Sequence, residues 1–93
     1  MWHDFRWIDW NLEKIARHGL STDEVEFVVN NPIPPYPRKE GEKSIVAGPT
    51  RSGLWIQVIY VFDPDGRIFV IHSRSLDTEE SRKAQRRIRE ARG

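Results

Sequence analysis

The residues best suited to chemistry lie in one segment near the end of the chain, residues 68–74, with the sequence IFVIHSR. Alternation along a strand predicts that every second side chain shares one face. The side chains predicted on that face are Ile68, Val70, His72 and Arg74. A histidine can move a proton near neutral pH, and an arginine can hold a phosphate through two parallel hydrogen bonds. His72 and Arg74 therefore fit part of what metal-free RNA cleavage needs: proton transfer, and a cation at the phosphate.

Each of these residues also has a commoner structural interpretation. His72 could be a hydrogen-bonded residue of the sheet, and Arg74 a solvated charge at the end of a strand. His18 precedes Gly19, and this position fits the C-terminal cap of a helix better than a catalytic base. Three aromatic residues could stack on nucleic-acid bases, although core packing is the commoner role for such rings. They are Trp2, Trp7 and Tyr36.

Basic residues concentrate at the end of the chain. Residues 82–93 hold six bases and one acid, whereas residues 1–31 hold three bases and six acids. The spacing of Arg82, Arg86 and Arg89 places them on one face of a helix, where they could contact phosphates. The alternative is a solvated helix whose own acids balance its charge. This separation of charge predicts separate surfaces for separate partners.

Length and composition exclude several classes of protein. The chain has 93 residues, 38% of them hydrophobic and 11% aromatic, which predicts one small globular domain over residues 1–93. It has no cysteine, so a disulfide framework, a thiolate zinc site and a cysteine nucleophile are excluded. The three histidines lack metal-ligand spacing and no glycine-rich phosphate loop occurs, so no metal or cofactor is predicted.

Neither a signal peptide nor a membrane span is recognised, so we expect a cytoplasmic protein without membrane contact.

Helices are predicted in the first third of the chain. Asp9 is expected to cap a helix that runs to about His18, with Gly19 as its left-handed C-terminal residue. The predicted buried stripe of this helix consists of Leu12, Ile15 and Ala16. Ser21 and Glu24 form the capping box of a second helix. Its predicted core face consists of Val25, Val28 and Val29.

Strands are predicted after a proline-rich connector at residues 30–41. The expected strands are residues 44–48, 54–62 and 67–74, preceded by a short strand or extended arm at residues 5–7. A final helix is expected to begin near Asp77, with Glu80 in its first turn, and has little apolar surface. Its apolar residues are Ala84, Ile88 and Ala91. The predicted fold class is α+β, with two N-terminal helices, a three-to-four-stranded antiparallel sheet and a C-terminal helix.

Short motifs spread over residues 5–84 together resemble the BrnT family of type II toxins. They are Trp7, Asn11, RHGLS at 17–21, AG at 47–48, Gly53, QVIY at 57–60, VIHSR at 70–74, Leu76 and Glu80. The resemblance implies a fold similar to the RelE-like ribonuclease toxins, with helices packed on a small antiparallel sheet. It also implies metal-independent cleavage of messenger RNA that inhibits translation. The implied partners are RNA and a cognate ribbon-helix-helix antitoxin, bound in a hetero-oligomer that represses its own operon.

The resemblance also implies which residues form the site. Arg74 is the strongest candidate, His72 lies beside it, and Lys43 precedes the second strand at a position where relatives often have Arg. In this hypothesis Arg74 stabilises the phosphate, and His72 is a general acid or base. Lys43 is grouped with them as a catalytic residue that, with Arg51, positions the RNA backbone. The predicted RNA-binding residues are Arg51, Arg67, Arg82 and Arg86.

Three departures from the family pattern favour an alternative. Lys43 lacks the planar fork of Arg, Ala84 stands where many relatives have Tyr, and Ser81 stands where a base is usual. The alternative is a catalytically weak or inactive toxin-fold module that binds an antitoxin-like partner or nucleic acid. In either case we expect the partner to cover part of the sheet and the last helix, because that helix is poor in apolar residues.

Overall fold

A computed structural model describes residues 3–93, and this part of the chain has three helices and four strands. The helices are α1 (Asp9–Arg17), α2 (Thr22–Asn30) and α3 (Thr78–Ala91). The strands are β1 (Arg38–Glu40), β2 (Lys43–Pro49), β3 (Trp55–Phe62) and β4 (Ile68–Ser75). The strands form one antiparallel sheet in the order β1-β2-β3-β4. The α+β prediction is confirmed, and the fourth strand, β1, lies inside the segment predicted as a connector.

An extended arm precedes α1 and pairs with the outer edge of β4. The Arg6 amide donates a hydrogen bond to the Ile68 carbonyl, and the Ile68 amide donates one to the Asp4 carbonyl, both at 2.8 Å. The Arg6 guanidinium also pairs with Asp63, with Nε and Oδ2 2.7 Å apart. The predicted arm is thus present, and it satisfies backbone groups that an edge strand would leave free.

Helix α1 packs differently from the prediction. Ile8 occupies the N-cap position instead of Asp9, and its amide donates to the side-chain oxygen of Asn11 at 2.8 Å. The prediction that Leu12 and Ala16 are buried is wrong, because both are exposed, whereas Ile15 is buried. The reason is that α1 packs against the edge strand β4, so only a narrow face of the helix contacts the rest of the protein.

Asn11 is the residue that ties α1 to the sheet. It is 1% exposed, and its Nδ2 donates to the Arg6 and Val70 carbonyls, each at 3.2 Å. A buried amide is stable only when its polar atoms have partners, and here both the donor and the acceptor are satisfied. At the other end of α1, Gly19 adopts φ 72°, so the predicted left-handed residue is confirmed.

Helix α2 covers one face of the sheet, as predicted. The Ser21 hydroxyl accepts from the Glu24 amide at 3.2 Å, and the Glu24 carboxylate accepts from the Ser21 amide at 2.9 Å. The predicted face of Val25, Val28 and Val29 is buried. The helix contacts β2 and β3, whose buried residues complete the core. Those residues include Val46, Ile56, Val58 and Tyr60.

A bulge in β4 changes which of its side chains share a face. Tyr60 pairs with Val70 and Ile59 pairs with His72, so Ile71 has no partner in the register. The prediction of a single face for the segment is therefore wrong, because Ile68 and Val70 face the core while His72 and Arg74 lie on the opposite side. We call that opposite side the outer face. It carries Ile45, Ala47, Gln57, Ile59, Val61, Phe69, His72 and Arg74.

Helix α3 begins with the predicted capping box. The Asp77 carboxylate accepts from the Glu80 amide at 2.8 Å, and the Glu80 carboxylate accepts from the Asp77 amide at 3.1 Å. Of its three apolar residues, Ala84 and Ile88 are buried, whereas Ala91 is exposed in the last turn. Within residues 3–93, every helix falls short of the length and apolar character that a membrane crossing requires.

Candidate functional site

Arg74 leaves the outer face at the end of β4 and is held by Glu80 of α3. Nη1 and Nη2 of Arg74 donate to Oε1 and Oε2 of Glu80 at 2.9 and 2.6 Å. This bidentate hydrogen bonding, helped by the bond from the Asp77 amide, lowers the pKa of Glu80 to about 2. Both side chains are about one-third exposed. Within the described chain no hydrogen bond uses Nε of Arg74, so this edge of the guanidinium has no partner there.

His72 lies two residues before Arg74 and contacts a second histidine. The His72 and His18 rings meet edge-on, with 5.6 Å between their centroids and 79° between their planes. Burial lowers the pKa of His72 first, and the positive charges of His18, Lys14 and Arg74 lower it further. The neutral imidazole is therefore favoured at His72, which is the form that can accept a proton.

His18 also has the structural role that its sequence position predicts. It is the C-cap residue of α1, and its amide donates to the Ile15 carbonyl at 3.1 Å. Its proximity to His72 was not predicted, because the two residues are far apart in sequence and meet only when α1 packs on β4. No local signal in the sequence could have found this pair.

A groove of about 350 Å³ lies between α3 and the outer face, beside Arg74. Four cationic side chains line it: Arg38, Arg74, Lys83 and Arg87. The acids of its lining are Glu40 and Glu80, and the second of these is already paired with Arg74. Ala84 and Gln57 also line the groove. The excess of positive charge suits the groove to an anionic ligand.

The structure separates the other predicted site residues from Arg74. Lys43 begins β2 four residues before Ala47, which lies level with Arg74, so it is displaced by ~13 Å along the strands. Arg51 lies in the β2–β3 turn, with its guanidinium 4.5 Å from the centre of the Phe27 ring of α2. Arg67 lies at the opposite end of β4 from Arg74. Its Nε is 2.9 Å from a carboxylate oxygen of Asp65.

Helix α3 presents a different pair of cations to the groove from the pair that was predicted. Arg82 and Arg86 are exposed and lie outside the groove lining, whereas Lys83 and Arg87 line it. Lys83 and Arg87 could have been predicted from their positions next to Ala84 and Ile88. Those two residues are buried and mark the side of α3 that faces the sheet. The i, i+4 pattern of arginines alone does not say which face points inward.

Two of the three aromatic residues considered for base stacking pack against other residues of the protein. Tyr36 is buried, and Trp7 stacks on Phe5 with 6.2 Å between ring centroids. The Trp7 indole also donates to Glu26 at 2.7 Å. Trp2, the third candidate, lies outside the described residues.

The described part of the chain contains no cluster of metal ligands. Among residues 3–93, no three or more His, Cys, Asp or Glu side chains converge into a group that could hold a metal ion. Comparisons with protein-family models, with characterised proteins and with solved structures found no match to this chain. The functional assignment therefore depends on the residues of the site.

Proposed function

We propose that the protein is a metal-independent endoribonuclease toxin of a bacterial type II toxin–antitoxin pair. It cleaves messenger RNA and so inhibits translation. The observation that carries this proposal is the position of Arg74, whose Nε edge is free within the described residues and which shares the outer face with His72. Cleavage within RNA needs a cation at the phosphate and groups that move protons, and these two residues supply both.

The groove beside Arg74 gives the RNA chain a path to the site. Lys83 and Arg87 line this groove, and their charges would attract the phosphates of nucleotides next to the one that reacts. Arg74 then holds the reacting phosphate through its Nε edge, while Glu80 keeps its guanidinium in place from the other side. A fixed guanidinium stabilises the charge that develops on the phosphate without having to reorganise first.

The proposed protein partner is a ribbon-helix-helix antitoxin that forms a hetero-oligomer with this chain in the cytoplasm. The ordered motifs of the sequence and the exposed basic residues of α3 support this part of the proposal. The antitoxin is expected to cover part of the sheet and α3. Slower backbone hydrogen exchange in α3 on adding the antitoxin would be the expected result, and unchanged exchange there would contradict it.

Cleavage by the purified protein tests the enzymatic part of the proposal. Wild type is incubated with messenger RNA in the presence of a chelator, and new 5′ ends are mapped. We expect Arg74→Ala to abolish these ends. Lys39→Ala is the matched control, because Lys39 lies on the opposite side of the sheet, with its Nζ 5.2 Å from the centre of the Phe62 ring. Cleavage that persists in Arg74→Ala would contradict the site assignment.

The second candidate function is a non-catalytic module that binds an antitoxin-like partner or nucleic acid. Two observations favour it: Glu80 occupies both terminal nitrogens of Arg74, and Lys43 is far from the site. The same assay separates the two functions. RNA binding that weakens steeply with salt, without any cleavage products in the wild type, would support the module.

A further inference from the structure

Two histidines from different elements meet beside Arg74. His18 ends α1 and is exposed, whereas His72 belongs to β4 and is partly buried. Their rings are in contact, with 5.6 Å between centroids. Sequence position explains His18 as a helix cap through its backbone amide, but its side chain makes no hydrogen bond within the described residues. Within the described residues, the imidazole of His18 is therefore placed by its packing against His72 and not by a hydrogen bond.

The arrangement is held by the contacts that join α1 to β4. Asn11 donates to the Val70 carbonyl at 3.2 Å, two residues before His72. Ile15, one turn before His18, is buried in the core. These contacts fix the end of α1 relative to β4, so the two imidazoles are already in edge-on contact in the folded protein.

The charges around the pair suit an anion. Lys14 from α1 and Arg74 from β4 act on His72 together with His18, and its cross-strand neighbour on β3 is the uncharged Ile59. No carboxylate is among the groups that shift the pKa of His72. Positive neighbours oppose the binding of a metal cation to the two imidazoles, and they favour a phosphodiester.

We propose that His18 and His72 form an acid–base couple, with His18 as the second catalytic residue of the RNA cleavage proposed above. His72 accepts a proton and His18 donates one, while Arg74 holds the phosphate against the exposed rims of both rings. This inference rests on the proposed function and adds to it a residue that the sequence assigned to helix capping. It requires that the RNA phosphate lie against the rims of both rings.

Each histidine moves one proton in the proposed reaction. The ribose 2′-hydroxyl gives its proton to neutral His72, and the 2′-oxygen forms a bond to phosphorus. The bond from phosphorus to the 5′-oxygen breaks, and that oxygen takes a proton from protonated His18. The products are a 2′,3′-cyclic phosphate and a 5′-hydroxyl. The proton gained by His72 can then pass to His18 through solvent or through the adjacent ring, which restores both residues.

The test uses two RNA substrates that differ in one atom, with sulfur in place of the bridging 5′-oxygen in the second. A thiolate leaves without being protonated, so the second substrate needs the base but not the acid. We expect His18→Gln to slow cleavage of normal RNA by about 100-fold or more and to cleave the sulfur substrate at nearly the wild-type rate. His72→Gln should be slow on both substrates.

His3→Gln is the matched control, because His3 lies away from the site, with its ring edge-on to Phe62 at 5.7 Å between centroids. It should cleave both substrates like the wild type. His18→Asn serves as a second variant, since asparagine is well tolerated at the end of a helix. Thermal unfolding establishes that each variant is folded.

Three results would overturn the inference in different ways. If folded His18→Gln cleaves RNA at the normal rate, His18 takes no part in the reaction, and the proposed function still stands. An equal loss on both substrates in both His18 variants means that His18 acts on structure and not as the acid. If the wild type cleaves neither substrate, the proposed function itself fails, and the acid–base couple fails with it.

Discussion

Arg74 meets Glu80 through both of its terminal nitrogens, and this contact decides which edge of the guanidinium is left for a phosphate. The distances of 2.9 and 2.6 Å are those of a charge-assisted pair. Glu80 also accepts from the Asp77 amide, so one carboxylate both caps α3 and positions Arg74. The first turn of the last helix and the end of the last strand are thereby coupled through a single side chain.

This coupling predicts a pH dependence of stability. The pKa of Glu80 is lowered from 4.5 to about 2, mainly by the hydrogen bonds from Arg74. A carboxylate with a lowered pKa in the folded state stabilises the protein above its unfolded pKa, and this stabilisation is lost as the pH falls through the folded value. We expect the melting temperature of wild type to exceed that of Glu80→Gln at neutral pH.

The difference in melting temperature should shrink as the pH falls from 4.5 towards 2, and circular dichroism can follow it. Asp23→Asn is a suitable control, because Asp23 lies in the first turn of α2, away from Arg74. A difference between wild type and Glu80→Gln that stays constant over this range would contradict the coupling.

At the scale of elements, the buried amide of Asn11 makes the hydrogen bonds that join α1 to the edge of the sheet. Asn11 links the Ile8 amide, the Arg6 carbonyl and the Val70 carbonyl. This is why the helix can leave its apolar Leu12 exposed and still stay in place. The His18–His72 contact depends on the same link, because it joins the two elements that carry those rings.

Asn11→Ala should therefore be strongly destabilising. It removes three hydrogen bonds and leaves one buried and two partly buried backbone groups without these partners, which predicts a loss of about 2–4 kcal/mol in the free energy of unfolding. Leu12→Ala, on the exposed face of the same helix, should change it by less than about 0.5 kcal/mol. Urea denaturation measures both. Similar values for the two variants would contradict the role assigned to Asn11.

The elements whose ends are set locally could be predicted, and those set by contacts distant in sequence could not. The capping boxes of Ser21 with Glu24 and of Asp77 with Glu80 are complete within four residues, and both were predicted correctly. The bulge at Ile71 depends on how β3 pairs with β4, so simple alternation wrongly predicted that His72 and Arg74 share a face with Ile68 and Val70. The same limit applies to the candidate site, because Arg74 was proposed from the pattern of its own strand, whereas its neighbours in space come from α1 and α3.

At the scale of the whole molecule, two pairs of basic residues on α3 differ in position: an inner pair, Lys83 and Arg87, and an outer pair, Arg82 and Arg86. Lys83 and Arg87 line the groove beside the sheet, whereas Arg82 and Arg86 are exposed and lie outside its lining. The buried contacts of the helix are made by Ala84 and Ile88, and a small residue at position 84 leaves the groove open. The arrangement predicts that RNA binds mainly through the inner pair.

Salt dependence of RNA binding distinguishes the two pairs. Binding of a non-cleavable, 2′-O-methylated RNA is measured by fluorescence anisotropy at several salt concentrations. The double variant Lys83→Gln/Arg87→Gln should bind more weakly, and its salt slope should fall by about 0.7 for each phosphate that it no longer neutralises. The double variant Arg82→Gln/Arg86→Gln removes the same charge and should have the smaller effect. If the Arg82→Gln/Arg86→Gln variant weakens RNA binding more than the other double variant, RNA binds along the exposed side of α3 and the predicted path is wrong.

The most direct test of the toxin proposal is induced expression in a bacterial host, with growth followed and cellular RNA ends mapped by primer extension. Wild type is compared with Arg74→Ala and with the control Lys39→Ala. We expect growth arrest and new RNA ends with wild type and with the control, and neither with Arg74→Ala. Normal growth and intact RNA on expression of folded wild-type protein would contradict the proposal and favour the non-catalytic module.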